Sequence, residues 1–223
     1  MSVITISRQY GSGGDEVADQ LCQQLHYTRF DKRQIAQAAL NAGLSDQEIV
    51  DYSEENYKVK TFLDILLRRS SPVAQVRIWK EDTSGARIAE AQTLSETAAL
   101  MLVQKAVMAA YEIGNVVIVG RGGQAILKDY PDVLHIRMEA PIEERIYRVK
   151  AQIRAGKDSY LATIDDRREA QDLITARDTA SASYLRQYYG VDWADPLLYH
   201  AVLNTGKLGI ERTVRAIAAL AGS

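Results

Sequence analysis

A glycine-rich segment near the start of the chain has the composition of a phosphate-binding loop. Residues 7–15 read Ser-Arg-Gln-Tyr-Gly-Ser-Gly-Gly-Asp. Backbone N–H groups in such a loop, at the start of a helix, bind anions because they point at the ligand and carry partial positive charge. The chemistry that this predicts is the binding of a phosphate group. The candidate cofactor-binding residues are Arg8, Gly11, Ser12, Gly13, Gly14 and Asp15.

This loop matches the phosphate-loop pattern G-x-x-x-x-G-K-[ST] only in part. Aligned from the preceding apolar run, Arg8 stands at the first glycine of the pattern and Gly13 at the second. Gly14 stands at the lysine, and Asp15 at the hydroxyl residue that holds magnesium. The alternative interpretation is a tight glycine turn whose helix is capped by Asp15, and the loop alone does not separate the two.

Two acidic side chains follow the glycines directly. Asp15 and Glu16 would stabilise the first turn of a helix through its dipole, by up to about 1 kcal/mol. The same charges would repel a phosphate unless a magnesium ion or arginine side chains lie between them. We therefore expect Asp15 to act through Mg²⁺. Arg8 is the candidate replacement cation, and its alternative interpretation is a solvated loop residue.

A second candidate site, Gly120-Arg121-Gly122-Gly123, comes directly after the apolar run at residues 116–119. Ligands of parallel sheets bind at the carboxyl ends of the strands. The arginine fork binds two phosphate oxygens at once, and flanking glycines let a ligand approach closely. Gly120, Arg121 and Gly122 are therefore predicted to bind a substrate. The alternative is that Arg121 pairs with a surface carboxylate.

Arginines also cluster among acidic residues between positions 154 and 186. A solvated helix face accounts for most stretches of this kind. A mobile lid over a triphosphate would also contain arginines, because phosphoryl transfer requires positive charge and the exclusion of water. Arg177 and Arg186 are the preferred candidates for this role.

The elements that must position these residues follow from the apolar pattern. Strands are predicted at residues 3–6, 27–31, 116–119, 133–138 and 199–203. Helices are predicted at residues 15–25, 93–113, 141–154 and 209–220. Strands that alternate with helices imply a parallel sheet covered on both faces, so the predicted class is a three-layer α/β fold.

An interrupted helical pattern fills the chain between residues 32 and 92. Helices are predicted at residues 35–40, 46–52 and 62–67, with connections at residues 70–72 and 83–85. This organisation predicts a single domain with a helical insertion and a helical lid. Its core comprises residues 1–31, 93–154 and 190–223, its insertion residues 32–92, and its lid residues 155–189.

The bulk composition narrows the class of protein further. With 223 residues and 47% hydrophobic content, the chain is long enough for one sizeable domain. The net charge of −2 disfavours sequence-independent binding of nucleic acid, and no apolar run reaches the length of a membrane span. The single cysteine excludes an internal disulfide, which fits a reducing compartment, and we expect a cytoplasmic protein.

Several of these segments resemble the cytidylate kinase-like proteins, relatives of bacterial cytidylate kinase. Residues 4–14, ITISRQYGSGG, are similar to the opening of that family, and residues 117–123, VIVGRGG, to its second motif. The similarity extends to residues 140–145 and, in the C-terminal part, to residues 184–193, 195–196, 203–205 and 208–211. It is weak between residues 36 and 92.

The resemblance implies a nucleoside-monophosphate-kinase fold of the P-loop type, with a core, a monophosphate-binding lobe and a lid. By that resemblance the first loop holds the triphosphate of ATP with Mg²⁺, and Arg121 holds the acceptor monophosphate. Three positions depart from the family pattern. Gly122 replaces an aspartate, Asp15 a residue that is more often basic, and Ser181 an expected lid arginine.

The expected function is phosphoryl transfer from ATP–Mg²⁺ to a nucleoside monophosphate, with CMP or dCMP as acceptor. The alternative from another class is a nucleotide-binding or interaction protein that keeps the fold with little or no kinase activity. A third is a kinase for another small hydroxylated or phosphorylated molecule. The expected partners are small-molecule nucleotides, and the apolar run at residues 62–67 could serve a homodimer interface.

Overall fold

The computed structural model describes residues 3–30, 74–81, 87–94, 96–155 and 166–222. The strands in these ranges are β1 (Val3–Arg8), β2 (Thr28–Phe30), β3 (Ala74–Glu81), β4 (Arg87–Leu94), β5 (Val116–Val119), β6 (Val133–Glu139) and β7 (Ala201–Asn204). The helices are α1 (Gly14–Leu25), α2 (Glu96–Ile113), α3 (Gly123–Ile126), α4 (Ile142–Ala155), α5 (Asp166–Tyr189), α6 (Thr205–Leu208) and α7 (Ile210–Ala221), with a 3₁₀ turn at Pro196–Leu198.

Within the described residues, five strands form a parallel sheet in the order β2-β5-β1-β6-β7. The central strand is β1, where Val3 aligns with Val116 of β5 on one side and with Val133 of β6 on the other. Because β-branched residues favour strands that are covered on both faces, β5 is wholly apolar, Val-Val-Ile-Val, and all four of its residues are buried. The predicted α/β fold class is confirmed.

The two faces of β1 pack against different helices because successive side chains of a strand point in opposite directions. Ile4 and Ile6 are fully buried in a cluster that also contains Leu21 of α1 and Ile217 of α7. Val3 lies in a second cluster on the other face, which includes Val103 and Val107 of α2, Ile118 of β5 and Leu127. These layers hold the carboxyl ends of β1, β5 and β6 at one edge of the sheet.

An antiparallel hairpin, β3–β4, lies where the sequence predicted helix. Its register runs from Ala74 opposite Leu94 to Glu81 opposite Arg87. The helical prediction is therefore wrong for residues 74–81 and 87–92. The alternation Gln-Val-Arg-Ile at residues 75–78 has the period of two that favours a strand. Because β4 takes in residues 93 and 94, α2 begins at Glu96 and not at the predicted residue 93.

The other helices predicted in the insertion, at residues 35–40, 46–52 and 62–67, lie outside the described residues, as do the connections at 70–72 and 83–85. The long helix α5 spans 24 residues of the segment predicted as a lid. Its residues Ala170 and Ile174 pack on Ile146 and Val149 of α4. None of the helices in the described ranges has the length and apolar character that crossing a membrane requires.

Candidate functional site

The glycine-rich loop joins β1 to α1 through two residues with left-handed backbone. Gly11 has φ 79° and Gly13 has φ 81°, values that disfavour any residue with a side chain. Gly13 is the N-cap of α1, and no side chain there caps the helix. The N–H groups of the first turn of α1 therefore present partial positive charge at the loop, which is the geometry that binds anions. The alternative in which Asp15 caps the helix does not agree with this arrangement.

A pocket of about 490 Å³ opens directly over this loop. Its volume lies within the ~300–1,000 Å³ of typical small-molecule sites. One wall is the loop and the first turn of α1, and the other is formed by side chains of α4 and α5. Three arginines from separate elements line it: Arg8 from β1, Arg148 from α4 and Arg177 from α5. The predicted residues Gly11, Gly13, Gly14 and Asp15 line it as well.

Arg8 and Gly14 are in direct contact at the floor of this pocket. A Cβ atom added to Gly14 would lie 2.7 Å from Cγ and 2.8 Å from Cβ of Arg8. The stem of Arg8 therefore occupies the space above Gly14. Only 14% of the Arg8 side chain is exposed, and its Nη2 lies 3.8 Å from Oδ1 of Asp15.

The charge of Asp15 is balanced by an arginine that sequence analysis did not identify. Arg29, in β2, places Nη2 2.5 Å from Oδ1 of Asp15, and its Nη1 donates to the backbone oxygen of Asp15 at 3.1 Å. The same Nη1 donates to Asp19 at 2.6 Å. This ion pair weakens the repulsion that Asp15 was expected to exert on a bound phosphate.

Magnesium would find few protein ligands at this site. Among the described residues, no group of three or more histidine, cysteine, aspartate or glutamate side chains could hold a metal ion. Three carboxylates line the pocket, Asp15, Glu16 and Asp178, and two of them are paired with arginines, Asp15 with Arg29 and Asp178 with Arg145. Magnesium in kinase sites is bound by substrate phosphates and water with one or two carboxylates. The residues fit an ion of that kind, held mainly through a triphosphate.

Arg148, which the sequence analysis missed, is fixed beside the glycine loop. Its Nη1 donates to the backbone oxygen of Gly11 at 3.4 Å and to Oγ1 of Thr205 at 3.2 Å. Thr205 in turn donates to the backbone oxygen of Ser12 at 2.5 Å. The one sequence feature that could have identified Arg148 is its position, about two turns into the helix that follows β6.

Asp178 connects helix α5 to the glycine loop. It accepts the backbone N–H of Tyr10 at 2.8 Å, and Nη1 of Arg145 donates to its other oxygen at 2.5 Å. The adjacent Arg177 lies with its guanidinium carbon 5.8 Å from the centre of the Tyr10 ring. Arg177 lines the pocket, and its role as a catalytic lid arginine stays a prediction. Arg186 is exposed and does not line the pocket.

The second glycine loop lies at the end of β5, beside the first. Gly120, Arg121 and Gly122 all have left-handed backbone, with φ of 70°, 63° and 68°. Arg121 is a residue type that rarely adopts this conformation, and it is only 7% exposed. A Cβ added to Gly122 would lie 2.9 Å from Cε2 of Tyr189 of α5, so the loop is covered by that helix. These three residues do not line the pocket over the first loop.

A model of the cytidylate kinase-like family matches residues 3–207, which include both glycine loops. The chain belongs to this family. The solved structures that share the fold of this cytidylate kinase-like protein include the following two. One is an uncharacterised protein from Eubacterium ventriosum ATCC 27560, with 19% identity and a TM-score of 0.61 over 100% of this chain and 99% of that chain.

The other is shikimate kinase from Bacteroides thetaiotaomicron, with 13% identity and a TM-score of 0.51 over 100% of this chain and 99% of that one. At such identities the likeness establishes only the fold, which is that of the P-loop kinases. No curated protein sequence gives a significant match to this cytidylate kinase-like chain.

Proposed function

We propose that this protein transfers a phosphoryl group from ATP, bound with Mg²⁺, to a nucleoside monophosphate, and that CMP or dCMP is the acceptor. The observation that carries the proposal is the pocket over the glycine loop. There the uncapped start of α1 meets Arg8, Arg148 and Arg177. Backbone donors and arginines are what phosphoryl transfer requires, since its catalysis is mostly positioning and neutralisation of charge.

The acceptor phosphate is proposed to bind at Gly120, Arg121 and Gly122. This assignment is supported by the sheet order, because β5 is the direct neighbour of β1 and both strands end at the same edge. A buried arginine with glycines on either side can form charge-assisted bonds to phosphate with little competition from water. Arg186 of α5 is proposed to join this site when α5 closes over both nucleotides.

A second candidate function is nucleotide binding without turnover. Gly14 in place of the lysine favours it, and so does Asp15 in place of the hydroxyl residue, because Asp15 is engaged with Arg29. In that case ATP would bind, and no acceptor would be phosphorylated.

The deciding experiment is an assay of ADP release with ATP, Mg²⁺ and a panel of acceptors: CMP, dCMP, UMP, AMP, GMP and shikimate. We expect release of ADP with CMP or dCMP above the rate without acceptor. Activity with shikimate alone would replace the proposed acceptor. ATP binding by calorimetry without any ADP release would favour the second candidate.

The matched variant for the acceptor site is Arg121→Gly. It removes the guanidinium and places glycine at a position with left-handed backbone. Because glycine adopts that backbone readily, the change adds no strain to the loop. Loss of a charge-assisted contact is expected to weaken monophosphate binding by about ten- to a hundredfold. Unchanged affinity for ATP would show that the effect is confined to the acceptor. Normal binding of the monophosphate would remove Arg121 from the site.

A further inference from the structure

At two positions of the phosphate-loop pattern, the cationic residue and the glycine stand in each other's place in this protein. Where the pattern has its first glycine, this chain has Arg8. Where the pattern has lysine, it has Gly14. The net result is one long cation and one glycine, as in the pattern, but the cation now extends from the strand and the glycine begins the helix.

The contact between Arg8 and Gly14 shows why an arginine at position 8 requires a glycine at position 14. Gly14 is the first residue of α1, and its backbone is not in the left-handed region reserved for glycine. Backbone conformation therefore does not require glycine there, and glycine is a poor residue within a helix. The requirement is space, because any Cβ would lie 2.7 Å from Cγ of Arg8.

Both atoms of Arg8 that a side chain at position 14 would strike, Cγ and Cβ, are close to its backbone. The Cβ of Arg8 is fixed by the backbone and cannot swing away, and its Cγ moves only if the whole side chain changes its χ1 rotamer. A lysine at position 14 and an arginine at position 8 therefore exclude one another. The exclusion accounts for a loop that has its cation at position 8 and a glycine at position 14.

Arg8 lines the pocket over the glycine loop, and the shorter ion pair of Asp15 is with Arg29, at 2.5 Å against 3.8 Å from Arg8. Arg29 thus takes up much of the negative charge that would otherwise compete with a phosphate for Arg8.

We propose that Arg8 performs the phosphate-binding role of the missing lysine, and that Gly14 is the position whose emptiness admits it. This inference rests on the proposed binding of a triphosphate at the loop. It adds a physical dependence between the two positions. If only one of the two positions is changed to the residue of the phosphate-loop pattern, binding of the triphosphate is weakened. If both are changed together, binding is retained.

The test is a double-mutant cycle of Arg8→Gly and Gly14→Lys, with MgATP and MgADP affinities measured by calorimetry. We expect each single variant to bind MgATP about ten- to a hundredfold more weakly than the native protein, in line with loss of one charge-assisted contact. The double variant is expected to recover most of that loss. The proposal would be overturned if Arg8→Gly bound MgATP as tightly as the native protein. It would also be overturned if the loss of MgATP binding free energy in the double variant equalled the sum of the losses in the two single variants.

A second cycle keeps the inference testable without nucleotide. Gly14→Ala adds a single methyl group and no charge, so in the native background it should lower the thermal midpoint by displacing Arg8. In the Arg8→Gly background the same change should be neutral or stabilising, because alanine is the better helix former. Equal effects of Gly14→Ala in both backgrounds would contradict the packing on which the inference depends.

The two cycles also separate this inference from the proposed function. If the native protein binds no MgATP while the alanine cycle behaves as expected, the packing stands, but Arg8 has no phosphate to bind and the proposal fails with the function. If the native protein binds MgATP and Arg8→Gly binds it equally well, the function stands and the inference about Arg8 fails.

Discussion

Asp178 of α5 accepts a 2.8 Å hydrogen bond from the backbone N–H of Tyr10, 168 positions earlier in the chain. The same carboxylate receives Nη1 of Arg145 at 2.5 Å, and Arg145 also donates to the backbone oxygen of Tyr10 at 3.3 Å. One side chain therefore links the glycine loop to the helix that carries Arg177. This contact joins the geometry of the loop to the placement of an arginine in the pocket.

Asp178→Ala is expected to destabilise the protein by about 1–3 kcal/mol, because it leaves the largely buried Arg145 and the Tyr10 N–H without their partner. Asp178→Asn should recover part of this loss, since the amide oxygen can still accept from Tyr10. The measurement is urea unfolding at neutral pH. Asp172→Ala, at an exposed residue of the same helix whose ion pair is 3.9 Å long, is the matched control and should change stability by less than about 0.5 kcal/mol.

Arg177→Ala is expected to weaken MgATP binding by about tenfold or more, the cost of one charge-assisted contact in a partly enclosed pocket. Arg168→Ala is the matched control on the same helix, because the Arg168 side chain is exposed and outside the pocket wall. Calorimetric titration of both variants with MgATP checks this. Equal loss in the two variants would mean that α5 contributes only general positive charge.

His135 should make the stability of the fold depend on pH. It is buried beside Thr5, whose Oγ1 lies 2.7 Å from its Nδ1, and burial, with a smaller contribution from His200, lowers its pKa from 6.5 to about 4. Below pH 6.5 the unfolded chain gains a proton that the folded protein does not. Stability from this group is therefore complete above that value and is lost as the pH falls toward about 4.

Thermal midpoints measured through this pH window check the expectation. His135→Asn should flatten the loss of stability on acidification. His26→Asn is the control, because His26 is exposed, and its left-handed backbone (φ 55°) suits asparagine. If the two variants show the same pH dependence as the native protein, His135 is not the group responsible.

Cys22 should react slowly with alkylating reagents in the native protein. Burial on α1 raises the pKa of its thiol to about 11, so at mildly alkaline pH almost none of it is thiolate, the reactive form. Because the chain has one cysteine, labelling with iodoacetamide followed by mass spectrometry reports on this site alone. Denaturant should accelerate the reaction strongly. Equally rapid labelling with and without denaturant would contradict the burial of α1 against the sheet.

The layers of the fold were predictable because they depend on short-range patterns. The β-branched runs of β1, β5 and β6 indicated buried strands, and a glycine loop after a strand indicated where a ligand would bind. The hairpin β3–β4 was not predicted, because its weak alternation was outweighed by a helical pattern in the neighbouring chain. Strand pairing across a turn depends on the partner as much as on local propensity.

The site was only partly predictable because its contacts join distant parts of the sequence. Arg148 meets Gly11 across 137 positions, and nothing near either residue indicates that meeting. The absence of lysine at position 14 was evident from the sequence. That the stem of Arg8 fills the space above Gly14 was not, because residues six positions apart across a strand and a loop have no fixed spatial relationship.

The central position of β1 has a consequence for synthesis of the protein. Val3 pairs with Val116 and Val133, so the first strand of the sheet to be translated is also the one that both halves of the sheet need. At about 5–20 residues per second, translation reaches β5 roughly 6–20 s after β1. For that time Ile4 and Ile6, which are fully buried in the folded protein, have no strand to pair with. The risk of aggregation of the emerging polypeptide is therefore set by the interval before β5 and β6 appear.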